Sequence, residues 1–172
     1  MKGGSYFHRI LICIEQTAFT PMRIILAAAL LLGIPLLLPS SGLAQGISHE
    51  ALENQVVELI NGHRESIGLT PLMPDSHIAD TSRTHSADMA NGRSPFSHEG
   101  FDKRVERIRK ALGGMGFAEN VAFGYRTAQV VVGWLNSPGH KANIEGDFTH
   151  TGVGIALARD GSLFFTQMFV KR

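Results

Sequence analysis

Between residues 48 and 144 the apolar positions recur every three or four residues; from residue 150 they recur every two. The first period belongs to helices that bury one stripe, the second to strands. Ser48 can cap a first helix whose stripe reads Leu52, Val56, Leu59, Ile60 and His63, with Gly68 closing it. Leu69 to Pro74 is a proline-punctuated link. Asp75 or Ser76 caps a second helix with Ile78, Ser82, His85 and Met89 on one stripe, ended by Asn91-Gly92. Arg93 to Gly100 reads as a loop. Asp102 opens a third helix, with Val105, Ile108 and Leu112 inward and Lys103, Arg104, Arg107 and Lys110 among its polar residues; Gly113-Gly114 breaks it. Thr127 caps a fourth helix through Val130, Val131, Trp134 and Leu135. Ser137-Pro138 then starts a short helix, with Ser at the N-cap and Pro at the first helical position.

The last third changes period. Val153, Ile155 and Leu157 alternate with Gly154, Ala156 and Ala158. Arg159-Asp160-Gly161-Ser162 supplies a turn, and Leu163 to Val170 returns as a second strand, apolar on both faces as a strand covered by two layers is. Helices followed by an antiparallel hairpin predict an α+β fold.

The N-terminal part has a different character. Residues 24 to 38 are an uncharged apolar run, with Arg23 before it and Pro39-Ser40-Ser41-Gly42-Leu43-Ala44 after it. That is the layout of a secretory signal peptide, cleaved after Ala44. Interrupted by Pro35, the run is short for a membrane span of roughly 20 residues. A cleaved leader and an uncleaved anchor are the two readings. Met22-Arg23 would itself start such a leader normally, so Met22 is the expected initiator and residues 1 to 21 an over-extended start. The expected organisation is a leader over 1–44 and one domain over 45–172.

Composition narrows the function classes. With 18% charged and 44% hydrophobic residues the 172-residue chain is globular. The formal charge is +1, and loss of Lys2, Arg9, Arg23 and Glu15 with the leader takes it to −1. Neither value suggests a nucleic-acid partner, which goes with a strong basic excess. The single cysteine, Cys13, precedes the apolar run, so disulfide frameworks and Cys-rich zinc sites are excluded.

Seven of the eight histidines follow residue 44. No His-Glu-x-x-His, no Gly-x-Ser-x-Gly and no P-loop or dinucleotide fingerprint occurs, so motif spacing alone names no enzyme. Two histidines are well placed. His98 sits in the loop Pro95-Phe96-Ser97-His98-Glu99-Gly100, just before a helix. His140 sits near the third position of the Ser137-Pro138 helix, where the helix N-terminus favours a neutral imidazole, the form a metal or a proton needs. His85, on an inward stripe, reads as a satisfied core histidine. His150 reads as packing at a strand entry, and His49, His63 and His77 as surface or structural residues.

Taken together the segments resemble the CAP superfamily (cysteine-rich secretory proteins, antigen 5 and pathogenesis-related 1 proteins) in its bacterial secreted, cysteine-free form. The matching residues are Leu59-Ile60-Asn61-x-His63-Arg64 with Gly68-Leu69-x-Pro71-Leu72, then His85-Ser86-x-Asp88-Met89, Phe96-Ser97-His98 and Glu119-Asn120-Val121-Ala122. Trp134-Leu135-Asn136-Ser137-Pro138-Gly139-His140-x-x-Asn143-Ile144 and Phe148-Thr149-His150-x-Gly152-Val153-Gly154 complete the set. Each motif is weak alone; the ordered set is specific.

The resemblance implies a three-layer α-β-α sandwich with a central antiparallel sheet and the C-terminal hairpin. It also implies a cleft lined by two histidines and two acids. His98 and His140 match the histidines and Glu119 the first acid, while Ser137 stands where eukaryotic members carry the second. His98 and His140 are then the candidate metal ligands for Zn²⁺ or another divalent cation, weakly bound, with Glu119 as a third ligand of a set that has an open position, and His98, Glu119, His140 and Ser137 the candidate cleft; the other reading is that Glu119 and Asn120 only tie backbone groups together across it. The expected function is a secreted or periplasmic protein that binds a small molecule, lipid or cell-envelope component. The alternative is a metal-dependent hydrolase of peptide or peptidoglycan bonds with Glu119 as its candidate catalytic residue. The sequence leaves the oligomeric state open.

Overall fold

A computed structural model describes residues 11–15 and 48–172. The apolar run, its cleavage site and Met22 lie outside the described residues, whereas Leu11–Glu15, upstream of the run, form a strand. The elements in chain order are β1 (Leu11–Glu15), α1 (His49–Ser66), β2 (Met73–Pro74), α2 (Ser76–Ala90), α3 (Phe101–Leu112), β3 (Gly116–Phe123), α4 (Thr127–Leu135), α5 (Pro138–Ile144), β4 (His150–Leu157) and β5 (Leu163–Lys171).

The caps follow their local chemistry. Ser48 Oγ accepts from the Ala51 amide at the start of α1, and Asp75 accepts from the amides of His77 and Ile78 at the start of α2. Gly68 and Gly92 sit at positive φ just beyond α1 and α2, as helix ends favour. Two boundaries differ from expectation. Gly100 precedes α3 in a left-handed conformation, so α3 starts at Phe101 and not at Asp102. Thr127 is the first residue of α4, which Arg126 precedes without a side-chain cap. On α1 the buried stripe is Glu53, Val56, Val57, Ile60 and Arg64, while Leu59 is 40% exposed. The stripe is rotated because Glu53 and Arg64 find buried polar partners. Arg64 Nε donates to the Thr70 carbonyl and Nη1 to the Ile144 and Gly146 carbonyls.

The sheet order is β1-β3-β5-β4-β2. The antiparallel expectation holds for the central strands: β5 pairs antiparallel with both β3 and β4. It fails at the edges, where β1 runs parallel to β3 and β2 parallel to β4, so the sheet is mixed. β4 and β5 form the expected hairpin. β3 was legible only as the Glu-Asn-Val-Ala motif, because its run Gly-Phe-Ala-Glu-Asn-Val-Ala-Phe does not alternate; its residues 117–122 are buried.

Helices cover both faces, giving the α-β-α sandwich. On one face α1, α4 and α5 pack Val56, Ile60, Val130, Trp134 and Ile144 against Ala118, Ala122, Val153, Phe165 and Phe169. On the other, α2 and α3 pack Ile78, Phe101, Val105 and Ile108 against Phe117, Met168 and Val170. Strand alternation assigns the remaining β3 side chains. Residues 117, 119 and 121 face α2 and α3, and residues 118, 120 and 122 face α4 and α5.

Two glycines set how closely α2 approaches. A Cβ on Gly152 would lie 2.2 Å from the Ala79 backbone nitrogen, and one on Gly154 would lie 2.0 Å from that of Arg83. The contact is polar as well: Ser82 Oγ donates to the Gly152 carbonyl and Ser86 Oγ to the Gly154 carbonyl.

Candidate functional site

The site is built on two successive residues of β3. Glu119 and Asn120 are fully buried, and their side chains leave the strand in opposite directions. Each is held by a different helical layer.

On the α2/α3 side, Arg104 grips the Glu119 carboxylate with two prongs: Nε donates to Oε2 at 2.6 Å and Nη2 to Oε1 at 2.7 Å. His98 Nδ1 donates to Oε1 at 2.8 Å. Arg104 also donates to the carbonyl of Glu99, tying α3 to the loop that carries His98. His85 Nε2 donates to the Ser97 carbonyl, holding the same loop from α2. His85 is thus the buried, hydrogen-bonded histidine expected, and it also positions the residue before His98.

Burial pushes the Glu119 carboxyl up, but the hydrogen bonds from His98 and Arg104 and the guanidinium charge outweigh it, holding the acid below the usual carboxylate range. For His85, burial acts first and the Arg104 charge second; both lower its pKa against the weaker pull of Glu119. A recess of about 540 Å³ between α2 and α3 reaches this network from solvent. Its lining mixes signs, with Lys103, Arg104 and Arg107 against Asp88 and Glu99.

On the α4/α5 side the bonds are neutral. Asn143 Nδ2 donates to Asn120 Oδ1 at 2.8 Å and to the Glu119 carbonyl at 3.3 Å, and Asn120 Nδ2 donates to the His140 carbonyl at 3.2 Å. Ser137 is the N-cap of α5, with Pro138 behind it as expected. Its hydroxyl does not cap a backbone amide; it shares a 2.8 Å hydrogen bond with His140 Nδ1. The His140 ring lies along Trp134, with centroids 6.5 Å apart. The serine at the second-acid position therefore orients an imidazole.

The sequence candidates thus fall into two networks that meet at the Glu119–Asn120 peptide. His98 and Glu119 come together on one face, and His140 and Ser137 on the other. Among the described residues no group of three or more His, Cys, Asp or Glu side chains is placed to hold a metal ion. The set His98, His140 and Glu119 does not fit such a centre, because both carboxylate oxygens already accept from Arg104 and His98. Sequence reasoning missed Arg104, which it left on the polar face of α3. The signal was present: Arg104 lies three residues after Phe101 and one before Val105, at the margin of the apolar stripe, where a charge needs a partner. Asn143 lay within a quoted motif but had no role assigned, whereas Asn120 was weighed as a residue that ties backbone groups together. The other histidines are structural or exposed: His63 Nε2 donates to Glu145, His150 shares a bond with Thr149, and His49 and His77 are exposed.

The pattern of the CAP family, described as the cysteine-rich secretory protein family, matches residues 57–169. The chain belongs to the CAP family. Its CAP domain is 35% identical to the uncharacterized protein YkwD of Bacillus subtilis (strain 168) over 128 residues, covering 72% of this chain and 48% of YkwD. The chain therefore spans about half the length of that relative. Among solved structures, an outer surface protein from Borrelia burgdorferi matches with a TM-score of 0.66 at 24% identity, covering 73% of this chain and 96% of that one. An extracellular SCP-domain protein from Bacillus anthracis str. Ames matches with a TM-score of 0.60 at 30% identity, covering 72% of this chain and 41% of that one. Both structures share the fold described above.

Proposed function

We propose that this CAP domain works outside the cytoplasm as a binding module, and that a small molecule, lipid or cell-envelope component docks along the cleft at β3 without being cleaved. One observation carries the choice of binding over hydrolysis. Glu119, the acid a hydrolase would use as base or ligand, is fully buried and gripped by Arg104 and His98. A carboxylate held ionised by a two-pronged arginine is a weak base, and it is poorly placed to move a proton near neutral pH. The extracellular description of the Bacillus anthracis relative supports the location, as does the leader-like layout ahead of residue 45.

A divalent cation would find His98 in one network and His140 in the other, so each network would offer it a single imidazole. Zinc would bind ahead of magnesium or calcium, which prefer oxygen shells.

Purified protein incubated with peptidoglycan sacculi and with anionic lipid vesicles should co-sediment with one of them. It should release no soluble fragments from sacculi or casein. Degradation that stops on chelation would replace the binding reading with the hydrolase. N-terminal sequencing of protein from the medium or periplasm should read from near Gln45; an intact Met1 or Met22 terminus in membranes would favour the anchor.

A further inference from the structure

We infer that the groove along the outer edge of β3 is a strand acceptor, which binds an extended apolar polypeptide segment of an envelope partner parallel to β3. The inference rests on the reading of the cleft as a binding site, and names the class of ligand for it.

The chain itself supplies the pattern. β1 lies in that groove in parallel register, Leu11 opposite Glu119, Ile12 opposite Asn120, and onward to Glu15 opposite Phe123. β1 also lies against α5, the helix of His140. Because Glu119 and Asn120 point to opposite faces, a strand added beside them runs between the layer that carries His98 and the layer that carries His140. The two networks therefore flank the groove, and the Asn143 bond to the Glu119 carbonyl marks the end at which the register begins.

Backbone chemistry explains why this edge needs an occupant. β3 uses one side for β5 and leaves its other row of amides and carbonyls to β1. With β1 in place, residues 119 to 122 have no exposed surface. Without β1 the outer row of β3 amides and carbonyls is an unpaired sheet edge, a template for pairing with another strand. In a chain that starts at Met22 or at Gln45, Leu11–Glu15 are gone and the same edge stands open. Main-chain hydrogen bonds then supply affinity that depends little on sequence, as in strand addition to other sheet edges. The occupant seen here is Leu-Ile-Cys-Ile-Glu. Its first four residues are uncharged, and β-branched isoleucine is favoured in strands. A partner segment of that chemistry, at least five residues long and extended, fits the same place.

The test uses a dye-labelled peptide spanning residues 10–16 with Cys13→Ser, titrated into three proteins: the full chain, the full chain carrying Ile12→Pro and Cys13→Pro, and the form recovered outside the producing cells. The adjacent prolines remove ladder donors whichever of the two faces β3. The full chain should bind the peptide at least tenfold more weakly than the other two. On binding, amide exchange of residues 119–123 should slow at least tenfold, while β5 amides stay protected in all three and report an intact fold. A peptide with Ile12→Pro and Cys13→Pro should not bind.

Absence of peptide binding in a protein with protected β5 amides would overturn the inference, as would protection mapping away from β3 and α5, or equal binding by the full chain and the proline variant. Sacculi or vesicles that shift the His98 and His140 ring signals while the peptide does not bind would leave the cleft reading standing and remove the strand reading alone. Failure of all of these probes to reach the cleft would remove both.

Discussion

Arg104 and Glu119 form a two-pronged ion pair with separations of 2.6 and 2.7 Å, in which the arginine side chain is 10% exposed and the glutamate fully buried. It joins α3 to the centre of β3 and fixes the loop of His98 through the Glu99 carbonyl. A buried pair of this kind is not by itself a source of net stability, since desolvation offsets attraction. Breaking it is another matter.

Arg104→Ala leaves an uncompensated carboxylate inside the protein and should destabilise the fold by about 3–5 kcal/mol in urea unfolding. Arg104→Lys should recover only part of the loss, because an ammonium is a point charge and cannot match both oxygens. Replacing both partners, Arg104→Met with Glu119→Leu, should be less damaging than either single change. Equal and additive losses would show that the two side chains do not act as a pair.

Acid should weaken the protein in two windows. His85 is lowered from 6.5 in the fold, so the unfolded chain takes up a proton there that the folded chain refuses. Its contribution is present above pH 6.5 and is lost as the pH falls below that value. Glu119 is lowered from 4.5, so its contribution is complete above pH 4.5 and is lost as the pH falls further, towards the folded value. The melting temperature should decline gently below pH 6.5 and again below 4.5. His85→Gln should remove the upper decline. A flat profile between pH 7 and 5 for the wild type would contradict the assignment.

Much of this was readable in advance, and what was not has physical reasons. Ser48, Asp75, Gly68 and Gly92 act within a few residues, so their capping roles follow from local sequence. The Ile78, Ser82, His85 and Met89 stripe is buried as its spacing predicts. Pairing is a different kind of information. No period identifies β3, covered on both faces, and nothing local states that Leu11–Glu15 will lie beside it. His98 and Glu119 could be nominated by resemblance. Arg104 could not be weighed until the helix margin it occupies was known to face a buried acid.

The α2 contact offers a test independent of charge. Gly154→Ala and Gly152→Ala each push a methyl into helix backbone, where no side chain can rotate away. Each should cost at least about 1–3 kcal/mol. Because α2 carries His85, the displacement should also shift the signals of Ser97 and His98. A variant as stable as the wild type would mean that α2 can rise from the sheet freely.

Removal of metal should not affect folding. Two imidazoles fall short of the four ligands of a structural zinc site. The melting temperature should be the same with and without a strong chelator. A chelator-induced drop in melting temperature would contradict this account.

The role of Glu119 as a structural anion, and not as a proton-transfer group, is tested most directly by its own titration. The carbon-13 shift of the Glu119 side-chain carboxyl, followed by NMR from pH 8 downward, should stay at the ionised value through the range in which exposed glutamates titrate. It should change only as acid unfolding begins. Protonation of Glu119 in the folded protein between pH 5 and 7 would contradict the account and mark it as the acid–base residue of a hydrolase.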